Sequence, residues 1–224
     1  MTTKSKVLFL CRKNSHFKFR KFSNKISRYT PDILERSTHN ILTLYTPDTT
    51  HSKHITELAL TMFDAWKDLH KLDKNYRKLL QTASLLHDIG ITINFYSHAR
   101  HSAYMIQNAQ IFGLSHREQL ITSAIAGWHN GVSKNYFRDR TYKEMLSDEH
   151  WQAINKLSLL LALAESLDYS QTNQVRDIQP RIEKKSAVLT LHAEGIPSIE
   201  MHQLKQHIRW FAKVFEVELS IQLG

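Results

Sequence analysis

The sequence is poor in the residues that staple or interrupt a chain: it has one cysteine, six glycines and four prolines in 224 residues. With Cys11 alone, no disulfide within the chain and no thiolate metal cluster can form, so a disulfide scaffold is excluded and a reducing, cytoplasmic setting is expected. So few glycines and prolines leave little turn chemistry for a barrel or sandwich and favour a mostly helical chain. The apolar run Val7, Leu8, Phe9, Leu10 is far shorter than a bilayer requires, and no small-residue cleavage site follows it, so a soluble protein without a membrane span is expected. A G-x-x-x-x-G-K-[ST] loop is also missing, which argues against nucleotide triphosphate binding of that kind.

Acidic residues are absent up to Asp32, whereas Lys4, Lys6, Arg12, Lys13, Lys18, Arg20, Lys21, Lys25 and Arg28 all precede it. This arm therefore carries the whole formal charge of +9, and the remainder is neutral. Such an arm could hold nucleic acid, polyphosphate or an acidic membrane surface by counterion release, or serve as a solvated tail. Its acid-free, Arg- and Ser-containing composition also has the character of a transit peptide. Nothing in the chain resembles a base-reading motif, so nucleic acid ranks last among these partners. A homodimer is compatible with the composition.

The pattern divides the chain into a basic arm (1–30), a helical body (31–172) and a small mixed tail (173–224). Ile55, Leu58, Ala59, Met62, Phe63, Trp66 and Leu69 recur at three- and four-residue steps, as one buried helix face does. Tyr76, Leu79, Leu80, Ala83 and Leu86 predict a second helix, with Gly90 as an inexpensive stop. Tyr104, Met105, Asn108, Ala109 and Phe112 predict a third, and Leu120, Ile121, Ala124, Ile125 and Trp128 a fourth. The helix carrying Ile154, Leu157, Leu161, Ala164 and Leu167 is also apolar at Leu159, Leu160 and Leu163, and should be central. In the tail, Ile178 and Ile182 pair with Val188 to Leu191 as a hairpin, Leu204 to Phe215 is helical, and Val217 to Leu223 alternates as a closing strand. The fold class expected is mainly α, a helical bundle with a small C-terminal α+β appendage.

Several of the fourteen histidines fall in phase with the apolar stripes. His51 lies one turn before Ile55, His87 four residues after Ala83, and His129 four after Ile125. Asp88 adjoins His87, and adjacent helical side chains diverge by about 100°, so both can reach one point only where the helix is ending. Glu165 and Asp168 continue the inward series of the central helix. Burying unpaired carboxylates is costly, and a divalent cation would offset that cost. Imidazole and carboxylate ligands suit manganese, iron, nickel, zinc or magnesium.

The segments HSKHITELALTMFD from His51, SLLHDIG from Ser84, SHARHSAYMIQNA from Ser97, AIAGWHNG from Ala124, LSLLLALAESLDYS from Leu157 and VRDI from Val175 occur in one order. Together they resemble the HD superfamily of metal-dependent phosphohydrolases. More narrowly, they resemble the C-terminal HD-type region of exopolyphosphatase and guanosine pentaphosphate phosphatase proteins, without the actin-like half in which those enzymes cleave phosphate.

The resemblance implies an HD-domain bundle in which His51, His87 and Asp88 are metal ligands. It puts Glu165 where aspartate is usual, with Asp168 as a substitute, and His101 and His129 as additional ligands for one or two ions. It implies hydrolysis of a phosphoester or phosphoanhydride in a nucleotide, alarmone or polyphosphate by metal-activated water. Asp88 would accept a proton and His98 or His101 would protonate the leaving oxygen. Arg100, Arg176, Lys53 and Arg140 are candidate phosphate clamps. The competing expectation, raised by Glu165, is a non-catalytic module that binds polyphosphate, a nucleotide or a protein partner.

Overall fold

The computed structural model describes residues 32–46, 48–130, 144–184 and 186–224. The basic arm, Cys11 and Arg140 lie outside these residues. The described part is mainly α with a small α+β region at its end, the class expected.

Helix α1 (Ile33–Tyr45) starts where the Asp32 side chain accepts a hydrogen bond from the Leu34 amide at 2.9 Å. It buries Leu34, Thr38 and Leu42 at helical spacing, a short stripe that the five larger patterns overshadow in the sequence. Helix α2 (Thr50–Ala65) buries Ile55, Leu58, Ala59, Met62 and Phe63, and a single turn, α3 (Lys67–His70), leads to α4 (Asn75–Leu86). After a 3-10 turn (Ile89–Thr92) come α5 (His98–Asn108), α6 (His116–Trp128) and α7 (Asp148–Leu167). Helix α6 opens with a reciprocal cap between Ser115 and Glu118. Helix α7 is buried on every side from Leu157 to Ala164 and lies at the centre, packed against α2, α4 and α6.

In two places the sequence pattern needs correction. The buried face of α5 is Ala99, Ser102, Ala103 and Ile106, while Tyr104 and Phe112 are exposed. Small side chains let α5 lie close against α6, and the aromatic residues are left outside. Gly90 lies past the end of α4, inside the 3-10 turn and without a positive φ, and is required for close packing instead: a Cβ there would stand 2.3 Å from the His98 carbonyl oxygen and 2.4 Å from the Ser102 nitrogen.

Strands β1 (Val175–Ile182) and β2 (Ser186–Ala193) form the expected hairpin, antiparallel with Ile178 opposite Leu191. Ile178 is buried, whereas Ile182 at the far end is exposed. Helix α8 (Ser198–Phe215) then crosses back over α7 and delivers β3 (Glu218–Leu223) parallel to β2, giving the order β1-β2-β3. A parallel neighbour requires such a crossover helix, which the eighteen residues of α8 supply. Among the described residues no helix is long and apolar enough to cross a membrane.

Candidate metal centre

Five helix ends converge on one pocket. His51 stands in the first turn of α2 and His98 is the first residue of α5. His87 caps the C-terminus of α4, His129 that of α6 and Asp168 that of α7, with Glu165 in the last turn of α7. Asp88 follows His87 with φ −107°, outside helical geometry, and this break allows two adjacent side chains to reach the same place. The C-termini of α4, α6 and α7 add partial negative charge, which favours a cation.

The potential donor atoms form two groups, within each of which they lie no more than 4.8 Å apart: His51, His87, Asp88 and Glu165 in one, and Asp88, His98 and His129 in the other. In the first, Glu165 Oε2 lies 3.2 Å from His51 Nε2 and 2.9 Å from His87 Nε2. Asp88 Oδ2 lies 3.6 Å from His87 Nε2. In the second, His98 Nε2 lies 3.3 Å from Asp88 Oδ1 and 3.4 Å from His129 Nε2. Asp88 is common to both groups and offers a different oxygen to each.

The outer nitrogen of each ring is already engaged. Nδ1 of His87 donates to the Ser84 carbonyl at 2.6 Å, Nδ1 of His98 to the Phe95 carbonyl at 3.1 Å, and Nδ1 of His129 to the Ala126 carbonyl. In each case the acceptor is the carbonyl three residues back, a contact that a helix end makes locally available. His51 Nδ1 donates instead to Asp168 Oδ2 at 2.8 Å. With Nδ1 as the donor, each of the four rings directs Nε2 inward and offers its lone pair there once neutral. Asp88 Oδ1 is buried and receives no hydrogen bond. Converging lone pairs and carboxylate oxygens of this kind fit one or two divalent cations.

The charges of the metal-free site reflect the same convergence. Burial opposes the charged form of His51, but its bonds to Asp168 and Glu165 and the charge of Asp88 outweigh this and raise its pKa to about 10. His87 shows the same opposition, with the Asp88 charge and the Glu165 bond raising it to about 9. Burial and the neighbouring His87 push His129 down to about 4. For Glu165 the bonds from His51 and His87 overcome its burial and hold it well below the usual carboxylate range.

His51, His87, Asp88 and Glu165 stand in the first donor group and His129 in the second, while three other candidates lie differently. His98, expected as a proton donor, stands in the second donor group, while His101 is one turn further along α5 and in neither. Positions 98 and 101 share a helix face, so sequence spacing could not separate them. Asp168 lies behind His51 and orients its ring rather than facing the donors. Lys53 and Arg176 line an open pocket of about 410 Å³ with Thr50, His54, Glu57 and Asn173, and the exposed Arg176 pairs with Glu194 at 2.5 Å. Arg100 is exposed on α5.

Residues 33–207 match the family model described as Ppx/GppA phosphatase, domain III. Over 95 residues the chain is 28% identical to a guanosine-5'-triphosphate,3'-diphosphate pyrophosphatase of Aeromonas salmonicida strain A449. That match takes in 42% of this chain and 19% of the relative, so the two correspond over under a fifth of the relative's length.

Proposed function

Because the chain belongs to the Ppx/GppA phosphatase domain III family, we propose that it is a metal-dependent phosphohydrolase acting on a phosphoester or phosphoanhydride. The substrate class is a nucleotide, a guanosine polyphosphate or inorganic polyphosphate. The observation that carries this reading is the convergence of four histidine Nε2 atoms, each ring anchored through Nδ1, with the carboxylate oxygens of Asp88 and Glu165.

His51, His87, Asp88 and Glu165 would hold one ion, and Asp88, His98 and His129 a second. When bound, such ions supply Lewis acidity toward a phosphoryl oxygen and make water a stronger acid. The chain's own side chains do the rest. Asp168 keeps His51 turned with Nε2 inward, and the Ser84, Phe95 and Ala126 carbonyls do the same for the other three rings. His98, when protonated at Nε2 and not ligating, would pass that proton to a leaving oxygen. Lys53 and Arg176 offer charge to phosphate groups extending past the N-terminus of α2, and Arg100 offers it on the α5 side.

The second reading is a binding module without turnover, favoured by Glu165 at a position where the resemblance leads one to expect aspartate. Metal analysis of protein purified without chelator, then a panel of phosphomonoesters, phosphodiesters, guanosine nucleotides and polyphosphate, separates the two. Metal with turnover supports the enzyme; tight anion binding without turnover supports the module. His87→Ala should remove the metal and any hydrolysis while the far-ultraviolet circular dichroism stays helical. Unchanged turnover in that variant would end the catalytic reading.

A further inference from the structure

We propose that Glu200, in the appendage and outside both donor groups, is a positioning residue that holds the metal centre's His51 in place through the loop after α7; this rests on the metal reading above. Glu200 lies in the first turn of α8 and is 1% exposed. Its Oε1 accepts from the Ser170 hydroxyl at 2.6 Å and from the Ser170 amide at 3.4 Å. Its Oε2 is buried and has no hydrogen-bond partner. A carboxylate held in that way is a costly means of filling space, because an apolar side chain of similar volume would avoid the desolvation. What it does secure is the path of the chain between α7 and β1.

That path leads directly to the site. The Ser170 hydroxyl lies 2.7 Å from the Thr172 hydroxyl, and the Gln171 amide donates to the Asp168 carbonyl at 2.8 Å. Gln171 and Asn173 both take left-handed backbone angles, φ 55° and 51°, so the loop coils tightly over the end of α7. The Asn173 amide then donates to Asp168 Oδ1 at 2.7 Å, leaving Oδ2 to accept from His51 Nδ1 at 2.8 Å. Both oxygens of Asp168 are therefore fixed, one by the loop and one by the ligand ring. Two residues beyond Asn173, the Val175 carbonyl accepts from His54 Nε2 at 2.9 Å, so β1 is also pinned to the helix that carries His51. If Glu200 lets go of Ser170, the Asn173 amide moves, Asp168 is free to rotate, and the ring of His51 loses its orientation.

The test uses the full chain with Glu200→Ala, Ser170→Ala and Glu200→Gln. Manganese(II) alone is the probe, and its binding is followed by electron paramagnetic resonance. Loss of a partner behind a ligand typically costs about 10–100-fold in metal affinity. The two alanine variants should bind at least about tenfold more weakly, whereas Glu200→Gln, whose amide oxygen still accepts from Ser170, should stay near the parent. A second readout needs no metal. The proton on His51 Nδ1, shielded by Asp168, should give a slowly exchanging resonance in the metal-free parent and in Glu200→Gln, and exchange rapidly in both alanine variants.

Ser170→Ala keeps the buried carboxylate, so it decides the matter if Glu200→Ala fails to fold. Parent-like manganese affinity and a parent-like His51 proton in the folded alanine variants would overturn the proposal. If the parent takes up no manganese, the metal reading falls, and the His51 resonance still decides whether Glu200 positions that ring.

Discussion

Neutral imidazole is the form that ligates a metal, and in the metal-free protein two of the four rings are held away from it. His51 stays protonated up to about pH 10 and His87 up to about pH 9, because acidic neighbours outweigh the cost of their burial. Both protons must leave before Nε2 can ligate, so binding should release about two protons at pH 7 and tighten as pH rises. His129, at about 4, is already neutral and releases none. Titration calorimetry with manganese in buffers of differing ionisation heat would measure the release, and a value near zero would contradict the two inward rings. The same shifts bear on stability. Folded pKa values above the unfolded 6.5 give a contribution that is complete below pH 6.5 and is lost as pH climbs through about 9 and 10. The melting temperature of chelator-treated protein should therefore fall between pH 7 and 10, and bound metal should flatten that decline.

At the scale of elements, the decisive feature is how closely the turn after Asp88 approaches α5. Gly90→Ala would drive a Cβ into the His98 carbonyl and the Ser102 amide, both backbone atoms that can move only with the helix. Overpacking of this kind costs about 1–3 kcal/mol, and here it also displaces the start of α5, which carries His98. The variant should melt lower and retain metal in the first donor group only. Calorimetry and metal stoichiometry check this, and a parent-like value for both would show that α5 can yield without cost. Such contacts explain which parts of the structure were legible in the sequence. The all-round apolar pattern of α7, with Leu159, Leu160 and Leu163 beside Leu157 and Leu161, predicts a central helix without any knowledge of its neighbours. The stripe of α2 and the inward phase of His51, His87 and His129 are similarly self-contained. The face of α5 is not, because Ala99, Ser102 and Ala103 are buried only through the proximity of α6 and of the turn after Asp88, and hydrophobicity alone favours Tyr104 and Phe112. His98 could not be told from His101 for the same reason, since the choice depends on where α5 begins. The role of Asp168 depends on a contact spanning 117 residues, which no local period encodes.

For the whole molecule, charge is separated from chemistry. Nine basic residues precede the first acid, and the rest of the chain, which contains every donor of the candidate centre, is formally neutral. A polyanion should thus be held by the arm and a small phosphoester by the pocket, and the two can be tested apart. Each phosphate neutralised by a lysine or arginine releases condensed counterions, so affinity through the arm should fall steeply with salt, whereas binding that depends on ligation at the pocket should change much less. Deleting residues 1–30 should abolish most long-chain polyphosphate binding at low salt and remove its salt dependence. Metal content, melting temperature and turnover of a small phosphoester should stay at parental values. Fluorescence anisotropy with labelled polyphosphate at 50 and 200 mM salt, run beside a colorimetric phosphoester assay on both forms, measures each quantity separately. If the shortened chain keeps its polyphosphate affinity and its salt slope, the cationic contacts lie instead around Lys53, Arg100 and Arg176. The pocket and the long anion would then share one continuous site.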